Sequence, residues 1–163
     1  MLQGDNAEIR PFREDDRDWL VERHGTLYAR DEGFDESFAP LVARILDEFV
    51  AGHDPQRERG WIVESDGKRL GSIFCVAQDE TTAKLRLFLL EPDARGRGLG
   101  ARLLMTCMDF TRSAGYASMV LWTHESHRAA CKLYQAYGWR LTDSKPVHSF
   151  GVDLIEQSWS IRL

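Results

Sequence analysis

The sequence predicts an α+β fold, and three observations predict it. The first fifty residues carry a helical hydrophobic period, the next forty carry three strand-like segments joined by turns, and the rest reads helix–strand–helix followed by two strands. Successive turn-linked strands give an antiparallel run, whereas a parallel α/β sheet would need regular strand–helix alternation. A length of 163 residues suits a single domain, 1–163.

Residues 6–12 alternate weakly and lead into Arg13-Glu14-Asp15-Asp16, an acidic opening that suits a helix N-terminus. Trp19, Leu20, Leu27 and Tyr28 then recur at helical spacing to about residue 31. After Asp35, the residues Phe38, Leu41, Val42, Ile45, Leu46, Phe49 and Val50 step by three and four, the period of one buried helix face. His53-Asp54-Pro55 ends that helix. Trp61 to Glu64 and Arg69 to Ala77 form two strands around the turn Ser65-Asp66-Gly67-Lys68, and Lys84 to Leu90 forms a third. A glycine-rich loop follows, then a helix carrying Leu103, Leu104, Cys107, Met108 and Phe110 and stopping near Gly115. Met119 to Trp122 is a buried-type strand; Ser126 is placed to cap a helix holding Ala130, Leu133, Tyr134 and Tyr137, which Gly138 ends. Residues 139–142 and 152–163 read as two strands around a loop.

Composition narrows the function classes. With 43% hydrophobic and 29% charged residues the chain can bury a core, and no stretch approaches the ~18 apolar residues of a membrane span. A net charge of −5 gives no general attraction for nucleic acid or anionic lipid. Residues 1–13 lack a basic-then-apolar run, so no secretory signal is expected. Cys75, Cys107 and Cys131 form no CxxC and sit among apolar neighbours, which points to a reducing, cytoplasmic setting.

The informative segment is the strand ending at Pro92 and the loop Arg95-Gly96-Arg97-Gly98-Leu99-Gly100 that opens a helix. Glycines leave no side chain between backbone amides and a ligand, and a helix N-terminus offers unpaired N–H groups with partial positive charge. A phosphate is the natural occupant. Ala101-Arg102 stands where a nucleotide-triphosphate loop needs Lys-Ser/Thr. Gly96-x-Gly98-x-x-Ala101 does fit a permissive dinucleotide fingerprint, but residues 92–95 separate it from its strand and the upstream units are hairpins.

Residues 87–100, Leu-Phe-Leu-Leu-Glu-Pro-Asp-Ala-Arg-Gly-Arg-Gly-Leu-Gly, resemble the acyl-CoA loop of the GNAT superfamily of N-acetyltransferases, whose pattern Gln/Arg-x-x-Gly-x-Gly/Ala is met by Arg95, Gly98 and Gly100. Ala130-Cys131-Lys132-Leu133-Tyr134 with Gly138-Trp139 is similar to the same family's Ala-x-x-Leu-Tyr-x-x-x-Gly-Phe segment. Shorter pieces, Leu121-Trp122-Thr123 and Ser149-Phe150-Gly151-x-Asp153-Leu154, look like acetyltransferase domains fused to MarR-type regulators, though no DNA-binding half accompanies them here and no nucleic-acid partner is expected.

The resemblance implies a mixed, mostly antiparallel sheet flanked by helices on both faces, and acetyl-CoA as the acyl-donor cosubstrate. Phe88, Leu89 and Leu90 would pair through main chain with its pantetheine arm. Arg95, Gly96, Arg97, Gly98, Gly100 and Ala101 would hold its pyrophosphate. His127 occupies the place of an asparagine that contacts the cosubstrate in relatives, and an imidazole cannot copy both functions of an amide. The reaction implied is direct attack by a primary amine in a ternary complex, with the Leu90 amide polarising the thioester carbonyl and Tyr134 protonating the thiolate. Trp122 stands where some relatives carry a glutamate base, so the base is sought at Glu91, with His124, Glu125, His148 or a water chain as alternatives. A non-catalytic acyl-CoA sensor would share the loop. The amine would meet residues 20–38 and 144–151, where Glu22, Asp31, Glu32 and Asp35 would suit a cation. His124-Glu125-Ser126-His127 is one residue short of His-Glu-x-x-His, so no metal is expected. The partner is a small-molecule or peptide amine, no membrane is involved, and a homodimer is allowed for.

Overall fold

The computed structural model describes residues 6–163, so residues 1–5 of the expected domain lie outside the described residues. In chain order the elements are β1 (Glu8–Pro11), α1 (Arg17–Glu32), α2 (Phe38–Gly52), β2 (Arg59–Ser65), β3 (Lys68–Ala77), β4 (Thr82–Leu90), α3 (Leu99–Ser113), β5 (Ser118–His124), α4 (Arg128–Ala136), β6 (Arg140–Ser149) and β7 (Val152–Arg162). The described chain divides into two compact units, residues 6–12, 55–119 and 162–163 in one, and residues 13–54 and 120–161 in the other. The architecture is α+β, as expected, with a mixed, mostly antiparallel sheet.

In the first unit the strands lie in the order β1-β2-β3-β4, each antiparallel to its neighbour. β2 and β3 turn through Asp66 and Gly67, both at positive φ (52° and 76°), the conformation that matches the right-handed twist of a hairpin. β3 is central, and its consecutive residues Ile73, Phe74 and Cys75 are all buried, so both faces of the strand are covered. α3 contributes Leu99, Leu103, Leu104, Cys107 and Met108 from one stripe. The Ala117 N–H donates to Thr81 O at 2.8 Å and Thr82 Oγ1 lies 3.1 Å from Ser118 Oγ, so the chain leaving α3 returns beside the start of β4.

The ladder between β3 and β4 is interrupted. Ser72 faces Leu89 and Phe74 faces Arg86, leaving Ile73 opposite both Leu87 and Phe88. This is a β-bulge, and Leu87 accepts a φ of +53°, rare for a residue with a side chain. The Ser72 hydroxyl donates to Leu87 O at 2.7 Å and fixes the bulged carbonyl. A Cβ on Gly71 would collide with Leu89 O and lie 2.8 Å from Leu90 Cδ2, so the close approach of β4 beyond the bulge requires glycine.

In the second unit α1 and α2 form a helical hairpin. α1 buries Leu20, His24 and Leu27, and α2 buries Val42, Leu46 and Phe49. The Asp35 N–H at the α1–α2 turn donates to Phe150 O at 2.8 Å, and the Phe34, Phe38 and Phe150 rings meet at 4.8 to 5.0 Å. The order here is β5-β7-β6.

Two expectations are corrected. Residues 143–149 are not a loop: β6 runs from Arg140 to Ser149 and turns through Phe150 and Gly151 into β7. Both faces of β6 are largely exposed, which removes the apolar alternation that marks a strand, and Pro146 masks the rest. Nor does Ser126 cap α4; His127 is the N-cap residue, and it makes no side-chain cap bond.

Two predictions follow from this packing. His24 is fully buried, its Nδ1 donating to Leu20 O at 2.8 Å while Nε2 has no partner among the described residues. Burial lowers its pKa from the usual 6.5 to about 4. The unfolded chain therefore takes up a proton that the native one refuses, so stability present at pH 7 falls between pH 6.5 and 4. Denaturation at several pH values should show wild type losing ~1.4 kcal/mol per pH unit more than His24→Phe across that window; parallel curves would contradict the assignment. Gly71→Ala should destabilise by roughly 1–3 kcal/mol in thermal melts, the usual cost of overpacking, because the atom it meets is backbone.

Candidate functional site

The bulge determines what β4 presents at its end. The Glu91 N–H donates to Leu70 O of β3 at 2.8 Å. Successive strand residues point their backbone groups to opposite sides, so the Leu90 N–H and C=O point away from β3. Leu89 is buried, and Phe88 and Leu90 are half-buried. Leu90 O lies 3.4 Å from Arg95 Nη2.

Beyond Glu91 the chain makes a 3-10 turn, Pro92–Ala94, anchored to the start of β3 by the Lys68–Asp93 ion pair at 3.0 Å. That pair holds the Asp93 carboxyl below its usual range. Arg95 is extended, and Gly96 and Gly98 are both left-handed at φ 77° and 75°. A Cβ at either glycine would meet open space, so the glycines serve conformation and access and not packing. Gly98 is the N-cap of α3, and the Arg102 N–H makes the first helical bond, to Gly98 O at 3.2 Å. Leu99, Gly100 and Ala101 therefore have no helical acceptor four residues back. Arg95, Gly96, Arg97, Gly98, Gly100 and Ala101 thus lie on one short path that carries two arginines and ends at a helix N-terminus. Such a path can hold an anion of two linked phosphates.

The remaining expected site residues belong to the second unit. Tyr134 is buried, with ring centroids 5.7 Å from Trp139 and 6.1 Å from Trp159. His127 Nδ1 lies 3.0 Å from Thr123 Oγ1, and its Nε2 lies 3.4 Å from Glu32 Oε1. Its ring is 5.5 Å from His124 and edge-on to Tyr28 at 5.2 Å. Burial lowers the pKa of both histidines. Glu125 stands apart from this pair, on a pocket of about 570 Å³ that it shares with Arg128, Cys131, Lys132 and Trp159. His148 sits near the hairpin tip with Nδ1 2.8 Å from Asp153 Oδ1.

Of the acidic residues expected to meet an amine, Asp31 pairs with Arg30 at 2.9 Å, Glu22 with Arg23 at 3.5 Å, and Asp35 accepts from Ser37. Glu32 instead reaches His127. Sequence reasoning missed two features here. The bulge at Leu87 leaves no composition signal, because the residue at positive φ is a leucine. The Thr123–His127–Glu32 contact joins α1 to the β5–α4 turn across ninety-five residues, and only its Thr123–His127 half, at spacing four, is local.

The chain is similar in sequence or in fold to several known proteins. N-acetyltransferase 8B of Homo sapiens is 33% identical over 93 residues, covering 54% of this chain and 41% of that protein. The chain thus spans less than half the length of that relative. Among solved structures, the yncA protein of Salmonella typhimurium with its cofactor acetyl-CoA superposes with a TM-score of 0.80 at 19% identity, covering 97% of this chain and 94% of that one. Spermidine N-acetyltransferase from Vibrio cholerae, in complex with CoA and spermine, gives 0.73 at 16% identity over 96% and 95%. The sequence profile of the Acetyltransferase (GNAT) family matches residues 12–139, which is most of the chain, and the protein belongs to that family.

Proposed function

We propose that residues 1–163 form one acyl-CoA N-acyltransferase domain that moves an acetyl group from acetyl-CoA to a primary amine by direct attack in a ternary complex. The observation that carries this reading is the glycine path after a bulged β4, with Gly96 and Gly98 left-handed and open on the side a Cβ would fill. Its chemistry fits the pyrophosphate of CoA: backbone amides at a helix start, no intervening side chains, and arginine at 95 and 97.

Bound acetyl-CoA supplies an activated thioester. The chain's own residues bind, orient and move protons. Phe88 and Leu90 offer main chain to the pantetheine arm, whereas Leu89, expected to join them, turns its own toward Ser72 of β3; the Leu90 N–H, pointing away from β3, is the donor to the thioester oxygen. Holding amine and thioester together removes much of the entropic barrier. Tyr134 is the proton donor to the departing sulfur, a role its phenol can fill because it is protonated at neutral pH in its reference state. Among the described residues no helix is long and apolar enough to cross a membrane. The likeness to spermidine N-acetyltransferase supports an amine acceptor, polyamines included.

Release of CoA from acetyl-CoA should be measured with spermidine, phenethylamine and a peptide bearing a free N-terminus. Turnover with one or more of them supports the proposal, and binding of acetyl-CoA without turnover of any would favour a sensor. Gly98→Asp places a carboxylate at the phosphate path, where space is open but φ is 75°, so the fold should survive with a loss of about 1 kcal/mol while calorimetric CoA affinity falls by tenfold or more; unchanged binding by a folded variant would refute the cradle. Tyr134→Phe keeps the ring between its tryptophan neighbours, so the melt should hardly move while kcat drops ~10²–10⁴ with KM for acetyl-CoA nearly constant. Near wild-type turnover would make Tyr134 a packing residue.

A further inference from the structure

We infer that Thr123, His127 and Glu32 form a proton-accepting chain for the amine that this transferase acetylates. The inference rests on the acetyltransfer reading above and offers this chain, in place of Glu91, as its base. An imidazole has two ring nitrogens, and here both are engaged: Nδ1 lies 3.0 Å from the Thr123 hydroxyl and Nε2 lies 3.4 Å from the Glu32 carboxylate. In the proposed chain the ring hydrogen sits on Nε2, on the side of the carboxylate, which leaves Nδ1 to accept from Thr123. The arrangement is a hydroxyl, an imidazole and a carboxylate in line, the order that passes a proton inward and stabilises the cation formed.

Its surroundings suit that task. The His127 and Glu32 side chains are 18% and 13% exposed, so the pair is shielded from water without being sealed. Burial is the largest influence on His127 and lowers its pKa, and neighbouring His124 lowers it further; Glu32 and Asp31 oppose them. Asp31 is itself paired with Arg30. The ring is therefore neutral when a substrate arrives near pH 7. Tyr28 meets it edge-on and confines its orientation. In the step itself an ammonium N–H bond breaks and leaves its electron pair on nitrogen. The Thr123 oxygen takes that proton as its own passes to Nδ1, giving a neutral amine, an intact hydroxyl and an imidazolium beside Glu32. The proton leaves to water after turnover. Thr123 would touch the amine, whereas His127 and Glu32 act through it as acceptor and positioning group.

The test is steady-state kinetics with acetyl-CoA and phenethylamine across pH, using wild type, His127→Asn and Glu32→Gln. Wild-type kcat/KM should rise with pH along a limb below ~6.5 as the imidazole deprotonates. Glu32→Gln should move that limb to lower pH, because the group favouring imidazolium has gone. His127→Asn should abolish the limb and lower kcat ~10²–10⁴ while KM for acetyl-CoA stays constant. A His127→Asn enzyme with wild-type kcat, or one altered only in its KM for acetyl-CoA, overturns the chain and returns position 127 to a cosubstrate contact. Should that variant fail to fold, nitrogen NMR titration of the wild-type His127 ring decides: its pKa must coincide with the kinetic limb and its neutral form must carry hydrogen on Nε2, and a mismatch in either overturns the proposal. A wild type that releases no CoA with phenethylamine, spermidine or peptide refutes acetyltransfer itself, an outcome distinct from failure of the relay alone.

Discussion

The first unit depends on one break in a ladder. Where Ile73 faces two residues of β4, the strand gains a residue, and the side and direction of everything after Leu87 are reset. The cost is a leucine held at positive φ, of order 1 kcal/mol or more. It is offset locally by the Ser72 hydroxyl on the bulged carbonyl and by Gly71, whose missing side chain lets Leu89 come close. From that reset follow the outward Leu90 N–H, the Glu91 bond back to β3 and the placement of the glycine path at the head of α3. A regular strand would have turned the Leu90 amide into the ladder.

The second unit is organised by aromatic and imidazole rings around the α1–α2 turn. Phe34 and Phe38 pack on Phe150, and the Asp35–Phe150 backbone bond ties the turn to the β6–β7 tip. Tyr28 continues the row to His127. Burial among rings keeps His24, His124 and His127 on the neutral side, so this part of an acidic protein presents uncharged nitrogen bases.

Much of the fold was legible because its signals are local. The periods of α2 and α3, the Asp66-Gly67 turn and the glycines at 96 and 98 each state their conformation within a few residues. β6 was not legible past residue 142, since an edge strand exposed on both faces has no apolar alternation to show. In the candidate site the loop residues could be named from chemistry and resemblance. The partner of His127 could not, because Glu32 on α1 was read as one acid among four, and nothing local distinguishes it from Asp31.

The β6 edge has a consequence for association. Ser149 and Val152 flank a two-residue turn and so exchange backbone bonds, which makes Val147 and Lys145 face β7 and turns Ser144, Pro146 and His148 outward. Proline has no N–H to give at the centre of that outer row. A second chain laying a strand along β6 would forfeit a bond at the middle of the new ladder, so the exposed rim guards itself against runaway stacking by backbone chemistry alone.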